Sequence, residues 1–119
     1  MPTRVRTPIL FNKNLKRLAR KYPKVLSVVE ALVEELKNDA RPGDQIPNVG
    51  YEVYKVRLEN LSANRGKSGG FRVIYYLQLA DSVILLTIYS KTEQSDISPD
   101  QIRRVIDIVI TDEAESDDL

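Results

Sequence analysis

The chain has 119 residues, of which 42% are hydrophobic and 29% are charged, and its formal net charge is +1. This length and composition are typical of one globular domain with a modest core. The sequence contains neither cysteine nor histidine, which excludes disulfides, thiolate or imidazole metal ligands, and serine or cysteine nucleophiles that depend on a histidine base. We also expect no membrane span and no signal peptide, and the lack of cysteine fits a cytoplasmic protein.

The charges are distributed unevenly along the chain. Residues 1–76 contain 15 Lys and Arg against 7 Asp and Glu, whereas residues 77–119 contain 3 against 10. The first segment is therefore suited to a polyanion, although the whole chain is nearly neutral. The last segment is acidic and poor in large apolar side chains. We therefore expect a single domain over residues 1–111 and a disordered tail over residues 112–119.

Two amphipathic helices are predicted after a short N-terminal strand. Residues 3–7 alternate threonine and valine with arginine, which is typical of a strand, and Pro8 follows. Apolar residues then recur at helical spacing over residues 11–22 and, after a break at Pro23, over residues 25–36. Each helix has one apolar stripe to bury. The pair is therefore expected to form an αα-hairpin that packs on a sheet.

Three strands and a final helix are predicted in the rest of the chain. Residues 44–50 are rich in Pro, Gly and Asn and are expected to form a loop. Residues 51–60 alternate, 71–79 form a β-branched and aromatic run, and 83–89 are almost continuously apolar, as in a strand that is buried on both faces. Short connections indicate an antiparallel meander, and a helix is expected to begin near Pro99. The predicted fold class is α+β.

A glycine-rich segment precedes the second strand of this meander. Residues 64–70 contain three glycines together with Arg65 and Lys67. Glycine lets the backbone approach a ligand closely, and cations on such a loop indicate phosphate contact. Gly-Lys-Ser at 66–68 is similar to the end of a P-loop, but the required glycine five positions earlier is Leu61, and a strand rather than a helix follows. A nucleotide-binding P-loop is therefore excluded.

Cations from three neighbouring elements are expected to lie close together. They are Lys55, Arg57, Arg72 and Lys91. Such a cluster suits RNA cleavage, since the 2′-hydroxyl next to the scissile phosphate is itself the nucleophile, and arginine binds phosphate oxygens through two parallel hydrogen bonds. A lysine is also a candidate general base if neighbouring cations lower its pKa. The alternative is that these cations form ordinary cross-strand ion pairs with Glu52 and Glu59.

The order strand, helix, helix, three strands, helix resembles the RelE/ParE superfamily of type II toxin–antitoxin toxins, and within it the RelE/HigB-like branch. The resemblance rests on Tyr-Lys-Val-Arg at 54–57, Gly-Lys-Ser-Gly-Gly-Phe-Arg-Val-Ile-Tyr-Tyr at 66–76 and the segment 85–97, and it extends over about residues 11–109. It implies a RelE-like fold, with an antiparallel-dominated sheet of four strands on an αα-hairpin and a C-terminal helix. It also implies a ribosome-dependent mRNA endonuclease that cleaves A-site mRNA through 2′-hydroxyl attack, without metal or cofactor, and that a cognate antitoxin protein inhibits.

The resemblance also implies roles for individual residues. The family's catalytic cations correspond to Lys55, Arg57, Arg72 and Lys91, and RNA contacts are expected at Arg65, Lys67, Ser68 and Tyr89. Two positions depart from the family pattern, since Thr92 replaces a further arginine and Ser98 replaces a tyrosine. The general acid and base are therefore unassigned, and Tyr89 and Glu93 are the substitutes that the sequence offers.

Two other functions remain open on the sequence alone. One is a ParE-like toxin that inhibits DNA gyrase and is not a nuclease. The other is an inactive remnant that only binds its antitoxin, with the acidic tail shielding the basic surface. Retention of the cation set favours the nuclease.

Overall fold

The computed structural model describes residues 2–61 and 70–116. The elements, in chain order, are β1 (Arg4–Arg6), α1 (Ile9–Lys21), α2 (Val25–Lys37), β2 (Asp44–Gln45), β3 (Val53–Leu58), β4 (Phe71–Leu79), β5 (Ser82–Ser90) and α3 (Pro99–Ser116). The predicted hairpin, meander and final helix all form at the expected places, which confirms the α+β, RelE-like fold.

The sheet has five strands in the order β1-β5-β4-β3-β2. β1 pairs with β5 in parallel, and the remaining pairs are antiparallel. The sequence analysis was wrong about residues 44–50, because this predicted loop contains β2, which pairs with β3. A two-residue strand is too short to show a periodicity. It lies against β3 because Gly43 has a φ of 91° and lacks a Cβ, which would lie 2.3 Å from the carbonyl oxygen of Lys55.

The sheet separates two hydrophobic cores. The hairpin-side core packs α1 and α2 against one face and includes Phe11, Leu18, Leu32, Val73 and Tyr75. The α3-side core covers the other face and includes Ile74, Ile84, Leu86, Tyr89, Ile102 and Ile106. Side chains of β5 belong to both cores, as its continuous apolar run predicts. The helices α1 and α2 therefore cover one face of the sheet, and α3 covers part of the other.

The backbone of α3 is helical through Ser116 and so includes residues 112–116, the start of the segment that was expected to be an acidic, disordered tail. Glutamate and alanine in this segment have high helix propensity, which favours continuation of the helix. Residues 117–119 of the expected tail lie outside the described part of the chain.

Candidate active site

Three of the residues singled out in the sequence form one row across the sheet. Arg57 of β3 lies directly opposite Arg72 of β4, and Arg72 lies directly opposite Tyr89 of β5. Paired residues on antiparallel strands project from the same face, with about 5 Å between their Cβ atoms. Lys55 lies two residues before Arg57 and therefore projects from this face as well. The face is the one that α3 partly covers.

Exposure decreases along this row from Arg57 to Tyr89. Arg57 is exposed, whereas Arg72 is 5% exposed and Tyr89 is 3% exposed. Burial lowers the pKa of Arg72, and the positive charge of Arg57 lowers it further, whereas Tyr89 raises it. The guanidinium stays charged nonetheless, because its ordinary pKa is so high. Its Nη1 donates a hydrogen bond to the carbonyl oxygen of Phe71 at 3.2 Å.

Tyr89 is part of the α3-side core rather than of the solvent surface. Its hydroxyl is buried and has no hydrogen-bond partner among the residues that the structure describes. Burial raises the pKa of this phenol, the negative charge of Asp96 raises it further, and Arg72 lowers it. Contact between RNA and Tyr89 therefore requires the residues that cover the ring to move.

Lys55 is paired with a carboxylate that the sequence analysis did not assign to the site. Its Nζ lies 3.4 Å from Oδ1 of Asp96, and the same oxygen accepts a hydrogen bond from the backbone N–H of Ile97 at 2.8 Å. This backbone N–H is the main reason why the pKa of Asp96 lies below its ordinary value; partial burial opposes it, and Lys55 and Lys91 lower the pKa further. Asp96 is therefore ionised at neutral pH.

The loop between β5 and α3, residues 91–98, holds both Asp96 and Lys91. Lys91 is exposed, and its Nζ donates to the carbonyl oxygen of Ser95 at 2.6 Å. Its backbone N–H donates to the carbonyl oxygen of Gly70 at 3.0 Å, which joins the start of the loop to the start of β4. Glu93, a sequence candidate for proton transfer, instead forms an ion pair with Arg17 of α1 at 2.8 Å.

Ordinary cross-strand ion pairs do not account for the cations on β3. Within residues 2–61 and 70–116, neither Glu52 nor Glu59 forms an ion pair with Lys55 or Arg57. Glu52 accepts a hydrogen bond from the Tyr54 hydroxyl at 2.8 Å instead. The neighbour of Arg57 across the strand is a second arginine, so this part of the sheet is locally cationic.

A cleft of about 370 Å³ opens beside Lys55 and Arg57. One wall is β2 and the loop after it, and the other wall is the segment that leads into α3. The lining residues are Asp44, Gln45, Ile46, Pro47, Asn48, Lys55, Arg57, Asp96, Ile97 and Pro99. Two cations and two carboxylates line this cleft. Lys55 is paired with Asp96, whereas Arg57 forms no ion pair in the described part of the chain.

The structure describes only part of the predicted site. Three of the expected RNA contacts, Arg65, Lys67 and Ser68, lie outside the described residues. The four cations expected to be catalytic are all described, and β3 and β4 bring three of them to one face. Asp96 was missed because it lies in an irregular loop, where no periodicity shows which way a side chain points.

Two further observations concern ligands and membranes. Among the residues that the structure describes, no group of three Asp or Glu side chains is placed to hold a metal ion. No helix in the described ranges is both long enough and apolar enough to cross a membrane.

The arrangement of these cations is suited to the binding of phosphate groups. Two arginines and a lysine project from one face, and a cleft gives access to two of them. In a comparison with protein families, the family described as the RelE toxin of the RelE/RelB toxin–antitoxin system matches residues 7–115. That match covers most of the chain and agrees with the observed fold. The chain therefore belongs to the RelE family of toxins from toxin–antitoxin systems.

Proposed function

We propose that this toxin inhibits translation by cleaving mRNA in the ribosomal A site. The observation that supports this proposal best is the row in which exposed Arg57 lies opposite buried Arg72. Like charges that face each other across two strands are unfavourable, and the phosphate of a bound RNA relieves the repulsion. The pair is thus suited to an anionic ligand.

In the proposed reaction, the phosphorus–oxygen bonds form and break between atoms of the RNA alone. The 2′-hydroxyl loses its proton to water and its oxygen attacks the adjacent phosphorus, the bond from phosphorus to the 5′-oxygen breaks as that oxygen takes up a proton from water, and a 2′,3′-cyclic phosphate and a 5′-hydroxyl result. Negative charge increases on the phosphate oxygens in the transition state. Arg72, fixed by its burial between β3 and β5, is proposed to stabilise that charge. Arg57 and Lys55 are proposed to orient the RNA backbone, and Lys91 to hold it at the edge of the site.

Membership of the family also indicates a protein partner. The RelE family is one half of a toxin–antitoxin pair. We propose that an antitoxin of the RelB type inhibits this chain. Neutralisation of the cationic face by acidic residues of that partner is the simplest means of inhibition.

The test is an in vitro translation reaction with purified protein, in which mRNA 5′ ends are mapped by primer extension. We expect cuts at the A site that require ribosomes and that fall by about 100-fold or more in Arg72→Lys, which keeps the charge but loses the planar fork. Arg104→Lys, which alters an exposed arginine of α3, is the matched control and is expected to cut normally. A circular dichroism spectrum of each variant verifies the fold.

Two results would contradict the proposal. Intact mRNA together with normal translation excludes the nuclease, and inhibition of DNA supercoiling in a parallel gyrase assay then identifies the ParE-like activity. Full cleavage by Arg72→Lys removes the role assigned to Arg72.

A further inference from the structure

We propose that Asp96 is a positioning residue of this site, whose carboxylate holds the Lys55 ammonium at the cleft so that its remaining protons face the RNA. This inference deepens the proposed function and rests on it. Both residues line the same cleft, and they lie 41 positions apart in the chain. Their contact is therefore a property of the folded site and not of local sequence.

Asp96 is held in place independently of Lys55. Its Oδ1 accepts from the Ile97 backbone at 2.8 Å, and its carbonyl oxygen accepts from Nε2 of Gln94 at 2.9 Å. The loop on which it lies is joined to α1 through Arg17 and Glu93. A fixed carboxylate beside a flexible lysine reduces the number of positions that the ammonium occupies.

The C-terminal end of this loop is also fixed. The Ser98 hydroxyl accepts from the backbone N–H of Gln101 at 3.2 Å, and the Gln101 side chain accepts from the backbone N–H of Ser98 at 2.9 Å. This reciprocal arrangement is a capping box, with glutamine at its third helical position. Asp96 therefore lies between two anchored points, three residues before α3 begins at Pro99.

The geometry leaves Lys55 available to the substrate. An ammonium has three protons, and the contact with Asp96 at 3.4 Å uses one of them. The carboxylate also repels phosphate from its own side of the cleft. The phosphate is thereby directed to the side of Arg57, which makes no ion pair in the described part of the chain.

The alternative role for Asp96 is that of a mask, an anion that occupies the place of phosphate and weakens RNA binding. The two roles give opposite results when the charge is removed. Asp96→Asn keeps the shape and an oxygen that accepts from Ile97, but removes the negative charge. A mask predicts tighter binding and equal or faster cleavage. A positioning residue predicts slower cleavage from a complex that binds normally.

The experiment measures single-turnover cleavage of ribosome-bound mRNA at saturating toxin, with affinity for the same complex measured separately. We expect Asp96→Asn to lower the cleavage rate constant by about 10- to 100-fold, with affinity within about threefold of wild type. Asp100→Asn is the matched control, because Asp100 is 70% exposed against 68% for Asp96 and also forms an ion pair, with Arg103. It is expected to cleave at the wild-type rate.

A double-mutant cycle separates positioning from general stability. Lys55→Met keeps the alkyl stem and removes the ammonium, so Asp96→Asn is expected to have no further effect in that background. Additive losses of cleavage rate in the double variant would overturn the positioning role and leave the proposed function standing. An unchanged rate in Asp96→Asn, beside an active wild type, would have the same consequence. Failure of the wild-type protein to cleave would overturn the proposed function, and the positioning role with it.

Discussion

Arg57 and Arg72 lie opposite each other on β3 and β4, one exposed and the other buried, and the charge of the first lowers the pKa of the second. Two like charges at this position oppose folding, whereas a phosphate between them favours binding. In the proposed function, some stability is therefore given up at the site that binds RNA.

Removal of the exposed member of this pair is expected to separate stability from RNA binding. Arg57→Gln should raise the free energy of unfolding by up to about 0.5 kcal/mol, because it relieves repulsion on Arg72. It should also make the negative slope of log affinity against log salt concentration shallower, by about 0.7 for a single-stranded RNA, because one phosphate contact is lost. Urea unfolding and salt titrations of RNA affinity check the two effects.

Arg104→Gln is the control for that prediction, because Arg104 is exposed on α3 and has no ion pair in the described ranges. Both quantities should stay at their wild-type values. A less stable Arg57→Gln with an unchanged salt slope would show that Arg57 is a structural residue.

The start of β4 requires glycine. A Cβ at Gly70 would lie 1.9 Å from the carbonyl oxygen of Leu58, so the strands must separate to admit it. We expect Gly70→Ala to lower the free energy of unfolding by about 2 kcal/mol or more, measured by urea unfolding. Gly50→Ala is the comparison, because Gly50 has open space around it and a φ of 87°. Gly50→Ala should lower the free energy of unfolding by only about 1 kcal/mol, because of backbone strain. Equal losses would contradict the close approach of β3 and β4.

Alkaline pH should destabilise the fold through Tyr75. Burial raises the pKa of its phenol, and the hydroxyl donates to the carbonyl oxygen of Pro42 at 2.6 Å. The folded chain thus holds this proton more tightly than the unfolded chain. The stabilisation is present below about pH 10 and is lost as pH rises from there towards the folded pKa, at up to about 1.4 kcal/mol per pH unit.

Tyr75→Phe tests this dependence. At pH 7 the free energy of unfolding of this variant should be about 1 kcal/mol below that of wild type, because the hydrogen bond is missing. Between pH 9 and about 11 its free energy of unfolding should decrease less than that of wild type. Urea unfolding at each pH measures both quantities. Tyr51→Phe, which alters a tyrosine that is 38% exposed, should keep the wild-type profile. Identical profiles for Tyr75→Phe and wild type would exclude the buried phenol as the cause.

The attachment of α3 to the sheet depends on its inward side chains. Ile106 is 0% exposed in the α3-side core, whereas Ile108 on the same helix is 48% exposed. We expect Ile106→Ala to lower the free energy of unfolding by about 2–5 kcal/mol, and Ile108→Ala by less than about 1 kcal/mol. Thermal and urea unfolding check the pair. Similar losses in the two variants would mean that α3 packs on the sheet in another orientation.

Much of the fold was predictable because its signals are local. The apolar stripes of α1 and α2 repeat every three or four residues, and the alternation over β3 places Lys55 and Arg57 on one face, as observed. The parallel pairing of β1 with β5 and the short β2 were not predictable in this way. Partners of that kind are far apart in the chain, and β2 has only two residues.

The candidate site, like the fold, was predictable only in part from the sequence. By itself, the sequence determined which cations are present and the family to which the chain belongs. It also determined that no cysteine thiolate or histidine imidazole is available as a metal ligand or a base. Only the tertiary structure decided that Arg57 faces Arg72, that Tyr89 is buried, and that Asp96 meets Lys55 across 41 positions. The physical reason is that periodicity reports the neighbours of a residue within one element. Register and loop path, which decide the neighbours between elements, depend on how the whole chain packs.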